Sequence, residues 1–345
     1  MSPSLALAIL AIGLLVTAIL SLGLGAVDIA PRDVVSILWA KLSGAGGASI
    51  GIEGVVWELR LPRVLLGILV GSALSVAGGL MQGLFRNPLA DPALIGVSSG
   101  AALGAVFVIV LGGILFPSAQ WLSDLRFLPV AAFAGALIVT FCIQRLTSTS
   151  GYTAVATLLL AGVAVNALVG AVIGLSTFLA TDAQLRSLTF WTLGSLGGAS
   201  WTTVAFAAPF CLGLVLTAPF FAPALNAIAL GESEAGHLGF AVEKTKTLLI
   251  IVAAAGVGAC VAFTGIIGFV GLVIPHLVRL WIGPNHRYLL PASALLGALL
   301  LTAADTCART LAAPAELPIG ILTAAVGGPF FLFMLLHQRK RALWG

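Results

Sequence analysis

Four histidines (His237, His276, His286 and His337) and four cysteines (Cys142, Cys211, Cys260 and Cys307) have the widest chemical repertoire in this 345-residue sequence, and each stands alone. None has a partner at metal-ligand spacing, there is no Cys-x-x-Cys, and no Ser/His/Asp set or carboxylate pair converges. Neither a metal site, a disulfide framework nor an enzyme site is implied. No Gly-x-x-x-x-Gly-Lys-Ser/Thr loop occurs, so a P-loop nucleotide site is excluded. Asp182, Arg186, Asp305 and Arg309 fall near one set of ends of the apolar runs, Arg279 and Arg287 near the other. No run has a carboxylate at its centre, so the embedded charge that an ion-coupled carrier uses is missing. What remains is Asn166, an amide in apolar sequence that needs a partner, and two proline-broken stretches, 86–92 and 268–276. Breaks at membrane depth survive only where protein or a water-filled cavity satisfies the freed backbone. Such breaks at corresponding places in two halves point to transport.

The elements that must position these residues are membrane helices. Charged side chains make up 8% of the chain and apolar ones 60%, against roughly 25% charged in a soluble domain. Charge-free runs cover 1–27, 64–85, 92–123, 127–144, 146–181, 187–231, 247–278, 288–304 and 317–338, and a span needs roughly 20 apolar residues. Residues 1–27 lack a basic n-region and read as a retained span. The overlong run 187–231 divides into a short re-entrant or interfacial helix near 187–197 and a span at about 201–223. Run 247–278 divides into a span to about Phe269, a break at Gly271 and a short helix from Pro275. The reading is an all-α polytopic membrane protein. It has about ten transmembrane helices in two five-helix halves of inverted topology, and the whole chain, 1–345, is one domain. Strands alternating over about ten residues are absent, which argues against a barrel.

Ten spans put both termini on one side, and the tail Arg339-Lys340-Arg341 makes that side cytoplasmic. Nine of the 16 basic residues then lie inside. The longest outer segment is an ordinary loop at about 28–60, and the longest inner one is about 224–246. The formal charge of +4 is small and dispersed, which gives nucleic-acid binding no support.

Small residues recur every four positions: Gly67, Gly71, Ser75, Gly79 and Gly83; Gly96, Gly100 and Gly104; Gly162, Asn166, Gly170 and Gly174; Gly320, Ala324 and Gly328. This spacing puts them on one helix face, where backbones approach closely. Tight packing is the plain reading, and a smooth-walled passage is the functional one. A pathway without its own energy source suggests a subunit driven by a partner.

Arg60-Leu-Pro-Arg63, the glycine- and proline-rich run 79–92, Gly96-Val-Ser-Ser-Gly100, the run 263–276 and Ala315-Glu-Leu-Pro-Ile-Gly320 resemble the permease subunit of ABC importers for iron chelates, haem and cobalamin. The resemblance covers about residues 60–332. It implies a permease that homodimerises around a central path in the bacterial inner membrane, surrounded by lipid. Two ABC ATPase subunits lie below it and a periplasmic substrate-binding protein docks above. It implies no cofactor on this chain; ATP and magnesium belong to the partner ATPase. Arg60, Arg63 and Arg309 match positions that pair with glutamates of the binding protein, a role suited to guanidinium forks; snorkelling of flanking arginines is the alternative. Gly231, Glu232, Ala235, Leu238 and Gly239 match the segment coupled to the ATPase, with Ala235 and Leu238 packing into its groove. Asn87 and Pro88, with Thr147, Ser148 and Thr149, match positions that constrict the cytoplasmic end of the path; an ordinary turn is an even alternative for 147–150.

The segment 182–198 looks most like haem importers of that family. Arg186 would then meet a propionate near the outer mouth, and Asn166 would belong to the pathway. An Asp182–Arg186 helix pair is an equal reading of the same spacing. A ferric siderophore or cobalamin is the rival cargo. A membrane scaffold that moves nothing and an ion-coupled carrier are the rivals of another class.

Overall fold

Apolar runs become helices; four of the α-helices start on a capping side chain, Ser2, Thr181, Ser200 or Asn285, and four stop at a glycine, Gly44, Gly194, Gly265 or Gly283. The computed structural model describes residues 2–25, 27–44, 50–116, 124–149, 152–153, 155–312 and 315–343. Helix α1 (Pro3–Gly23) is capped by the Ser2 side chain, and α2 (Pro31–Ser43) follows. The short α3 (Ile50–Gly54) runs through a wider turn, Val55–Arg60, into α4 (Leu61–Leu84). Next come α5 (Val97–Val106), a second wide turn at Phe107–Leu111, α6 (Gly112–Leu115) and α7 (Leu128–Thr147). Two two-residue strands, β1 (Ser148–Thr149) and β2 (Tyr152–Thr153), pair antiparallel. Then follow α8 (Val155–Leu179), α9 (Asp182–Leu193), α10 (Trp201–Ile228), α11 (Glu232–His237) and α12 (Val242–Thr264). The last are α13 (Val270–Ile282), α14 (His286–Leu311) and α15 (Ile319–Leu343).

Among the described residues eight helices are long and apolar enough to cross a membrane, and Val270–Ile282 and Ile319–Phe333 are shorter apolar helices. These make the expected ten. One end of the bundle gathers Arg60, Arg63 and Arg309; the other carries α11 and both terminal helix ends. The first five spans (α1, α4, α5, α7, α8) run alternately toward and away from the arginine end. The second five (α10, α12, α13, α14, α15) alternate in the opposite order. The two halves are inverted.

Several expected boundaries move. Residues 28–60 are not an ordinary loop: α2 lies there, its Val34 and Ile37 buried with Leu22, Val56 and Val64, and the span that follows reaches back to Gly51. The half-helix α9 starts at Asp182 rather than near 187, because Thr181 and Gln184 form a reciprocal cap. In the second break, α12 stops at Thr264 and α13 begins at Val270, so Pro275 lies inside α13 rather than at its start. Phe269 precedes α13 with φ +68°, a strained backbone for a bulky residue.

Helix α4 sits at the centre, packed against α14, α10, α13 and α12. Its four-residue spacing of small side chains is the seam with α14. A Cβ added at Gly71 would lie 2.4 Å from the Gly297 carbonyl oxygen, while Gly67 faces Thr302, Gly79 faces Leu290 and Gly83 faces His286. On the adjoining face, a Cβ at Gly78 would lie 1.8 Å from the Gly271 oxygen. Gly96, Gly100 and Gly104 meet α7 in the same way, a Cβ at Gly104 falling 2.0 Å from the Ala131 oxygen. Tight packing, the plain reading of these repeats, is what α4 and α5 do. The third repeat divides: Gly162 is pressed on the Leu94 carbonyl, whereas Gly170 and Gly174 have open space around them.

Candidate functional site

The arginine end is built around the last turn of α1, whose carbonyls have no partner within the helix. Arg60, at the entry to α4, donates through Nη1 to the carbonyls of Leu22 and Gly23, each at 2.7 Å, and through Nη2 to that of Val27. Arg309, in the last turn of α14, donates through Nη2 to the Ser21 carbonyl at 2.5 Å and to its hydroxyl at 2.7 Å, and through Nη1 to the Leu24 carbonyl at 3.1 Å. Glycine at 25 lets these groups close in, because a Cβ there would lie 2.8 Å from Arg60 Nη2. Arg63, one turn into α4, bridges two carboxylates. Its Nε and Nη2 reach Asp305 at 2.9–3.1 Å, and Nη1 and Nη2 reach Glu316 at 2.8 and 3.0 Å. Asp305 also lies 3.5 Å from Arg309 Nε.

Three guanidiniums thus share two carboxylates and a row of carbonyls. The structure gathers the three sequence-predicted arginines but turns them inward, with Arg60 and Arg309 committed to α1. Only Glu316 keeps a largely wet carboxylate, its side chain 46% exposed against 3% for Asp305. The hydrogen bonds from Arg63 hold the Glu316 carboxyl below the usual glutamate range. Asp305 and Glu316 were not singled out as partners of Arg63. The only trace of their role in the sequence is the four-residue spacing of Asp305 and Arg309 and the place of Glu316 in the 315–320 motif.

At the other end, α11 stands between α10 and α12. Gly231 opens it with φ +148°. Ala235 is fully buried against Ala227, Ile228, Phe240 and Val242 of its own chain, while Leu230 and Leu238 are 73% and 62% exposed. The expected pair therefore separates: Ala235 packs inward, and Leu238 alone faces away. Glu232 accepts from Lys246 Nζ at 2.7 Å, and Glu243 from the same nitrogen at 2.8 Å. Asn226 of α10 ties to Asn285 at 2.9 Å and to His286 Nδ1 at 2.8 Å, fixing the start of α14 to the end of α10.

The turn after α4 lies at this same end. Arg86 takes φ +48°, and Asn87 Oδ1 accepts from the Leu89 amide at 2.9 Å, so Asn87 is exposed but braced by its own turn, with Pro88 half-buried beside it. Thr147 is buried and donates back to the Ile143 carbonyl at 2.9 Å. Ser148 is exposed on β1; the side chain of Thr149, residue Ser150 and the side chains of the basic tail lie outside the described residues. Asn166 finds its partners within the protein: Ser99 Oγ donates to its Oδ1 at 2.5 Å, and its Nδ2 donates to the Ala93 carbonyl at 3.3 Å. It pins α8 to the start of α5. Arg186 is exposed on α9, and among the described residues it forms no ion pair with Asp182, so that alternative is not realised.

A family model described as the FecCD transport family matches residues 13–337. The chain belongs to the FecCD transport family. It is a permease of this family's ABC importers, a multi-span membrane protein. FecCD relatives include the hemin transport system permease of Yersinia pestis, 45% identical over 98% of this chain and 97% of that one. The cobalamin import permease of Halobacterium salinarum is 46% identical over 84% and 75%, and the Fe(3+)-citrate import permease of Bacillus subtilis is 37% identical over 98% and 97%. A solved structure of a metal-chelate type ABC transporter in an inward-facing conformation superposes with TM-score 0.81 at 31% identity, covering 96% of this chain and 98% of that one.

Proposed function

We propose that this FecCD permease carries haem across the bacterial inner membrane, taking it from a periplasmic binding protein and driven by a separate ATPase that hydrolyses ATP with magnesium. The observation that carries this reading is full-length likeness to a hemin permease at 45% identity, joined to a segment, 182–198, that places an unpaired, exposed Arg186 near the arginine end. That guanidinium suits a propionate. Two copies of the chain enclose the path, supported by α8, which is largely uncovered by the rest of the chain and leaves Gly170 and Gly174 open. Exposed small residues suit close approach by another helix. Asn166, half-buried midway along α8, belongs to that wall.

Both termini and α11 face the cytoplasm in this reading. Gly231, Leu238 and Gly239 seat the ATPase, with Ala235 and the Lys246-bound Glu232 holding the segment from behind, and Asn87, Pro88 and Thr147–Thr149 narrow the exit. Of Arg60, Arg63 and Arg309, the first and last hold the end of α1, and Arg63 forms the docking rim for glutamates of the binding protein. Arg63 is the member placed to exchange partners, since Glu316 is half-exposed.

The test is uptake by the complete complex in vesicles, with haem, a hydroxamate siderophore and cobalamin compared side by side. Haem uptake that depends on ATP and on the binding protein is expected. Preferred uptake of either other cargo would replace haem with that cargo, because relatives named for cobalamin and ferric citrate match over most of the chain as well.

A further inference from the structure

Lysine is among the residues least often buried, yet Lys246, in the second turn of α12, is 1% exposed. Its Nζ sits 2.7 Å from Glu232 Oε2 and 2.8 Å from Glu243 Oε1. Glu243 belongs to the same helix, but Glu232 is the first residue of α11, on the far side of the connecting turn. A buried ion pair is a poor means of gaining stability, because apolar residues of the same volume do as well or better. What it does supply is a directional link that resists displacement. The six-residue α11 has little else to hold it: Ala235 is its one buried side chain.

Helix α12 carries that link through the core. It packs on α10, α7, α4 and α5 and ends where the Thr264 carbonyl accepts from the Ser195 amide at 2.7 Å. A Cβ on the next residue, Gly265, would lie 2.0 Å from the Trp191 carbonyl oxygen of α9. Gly197, two residues beyond Ser195, lies beside Glu316, the half-exposed partner of Arg63. One rigid element therefore joins α11 at one end to the α9 turn at the other.

We propose that Lys246 is the strut that converts displacement of α11 into displacement of α12, and hence a positioning residue for coupling. The inference rests on the importer reading above, in which an ATPase seats on α11. It concerns the ratio between ATP hydrolysed and solute moved, not the seating itself.

The experiment compares wild type, Lys246→Met, Lys246→Arg and Glu232→Gln in the complete complex in vesicles. It reads ATPase retention, hydrolysis and haem uptake together. Lys246→Met is expected to keep the ATPase bound while solute moved per ATP falls by about fivefold or more, the low end of a coupling free energy. Lys246→Arg, which keeps the charge, should restore the ratio, and Glu232→Gln should lower it in the same direction. Should Lys246→Met fail to assemble, Glu232→Gln decides, since Lys246 there keeps Glu243. A wild-type ratio in the assembled neutral variants, or equal falls in hydrolysis and uptake, would overturn the strut. A wild-type complex that shows no ATP-driven uptake would overturn the importer reading, and the strut with it.

Discussion

At the scale of single residues, the arginine end separates two roles that the sequence ran together. Arg60 and Arg309 complete the end of α1, and Arg63 bridges to a carboxylate that water can reach. Replacing Arg60 with alanine should leave buried carbonyls without donors, at about 1–3 kcal/mol. The expected outcome is a lower thermal midpoint in detergent and faster amide exchange at the end of α1. Glu316→Gln should act differently. A half-exposed pair is worth only ~0.2–1 kcal/mol, so freeing Arg63 should strengthen binding-protein docking by up to about fivefold, measured as affinity for the reconstituted permease. Weaker docking would remove Arg63 from the rim. The Glu316 carboxyl is held below its ordinary value of 4.5 by Arg63. Its stabilising contribution is therefore complete above that value and lost as pH falls through the lower, folded one. The difference in thermal midpoint between wild type and Glu316→Gln should be constant from neutral pH to about pH 5 and shrink below. The arginines were legible only through the family motif. Their partners were not, because residues 63, 305 and 316 meet through three-dimensional packing that no local spacing encodes.

Among elements, the four-residue repeats were legible because helix periodicity brings such residues to one face. The face they mark on α4 is the seam with α14. Spacing did not find Gly78, which lies off the repeat and takes the closest approach on α4, against the Gly271 backbone. Gly78→Ala should therefore force α4 and α13 apart and cost at least about 1–3 kcal/mol as overpacking. Gly213→Ala on α10, with nothing within reach of the new methyl, should shift the midpoint by less than about 0.5 kcal/mol equivalent. Thermal scans of the two variants in the same detergent check both. The number and order of spans were legible from apolar length together with the glycine and proline breaks that divide the two overlong runs. The helix at Pro31–Ser43 was not: among the described residues its buried face is Val34 and Ile37, with Leu38 packed beside them, in a mixed sequence that composition reads as loop. The second break was legible in place but not in detail. Proline suggested the start of α13, whereas the turn is made earlier, at Gly265–Phe269, by backbone conformations that a hydropathy pattern does not register.

For the molecule as a whole, the two chemically active ends lie about 36 Å apart along the 24 residues of α4 at 1.5 Å per residue. Any signal between them must travel through helices. The chain alone, sealed in vesicles, should accumulate no haem. Adding the ATPase inside and the binding protein outside should be necessary and sufficient, and uphill uptake by the chain alone would refute the reading. Mass determination of the detergent-purified permease should return twice the chain mass, and a strictly single-chain mass would refute pairing along α8. The clasp on α1 has a further consequence for biogenesis. Its donors to the Ser21 and Leu24 carbonyls come from Arg309, 285–288 residues later in the chain. Helix α1 leaves the ribosome first and meets Arg60 soon after, but it waits for the bonds from Arg309 until nearly the entire polypeptide has been synthesised. A product truncated before Arg309 would enter the bilayer with a loose first helix, a flaw that quality-control proteases of the membrane could detect.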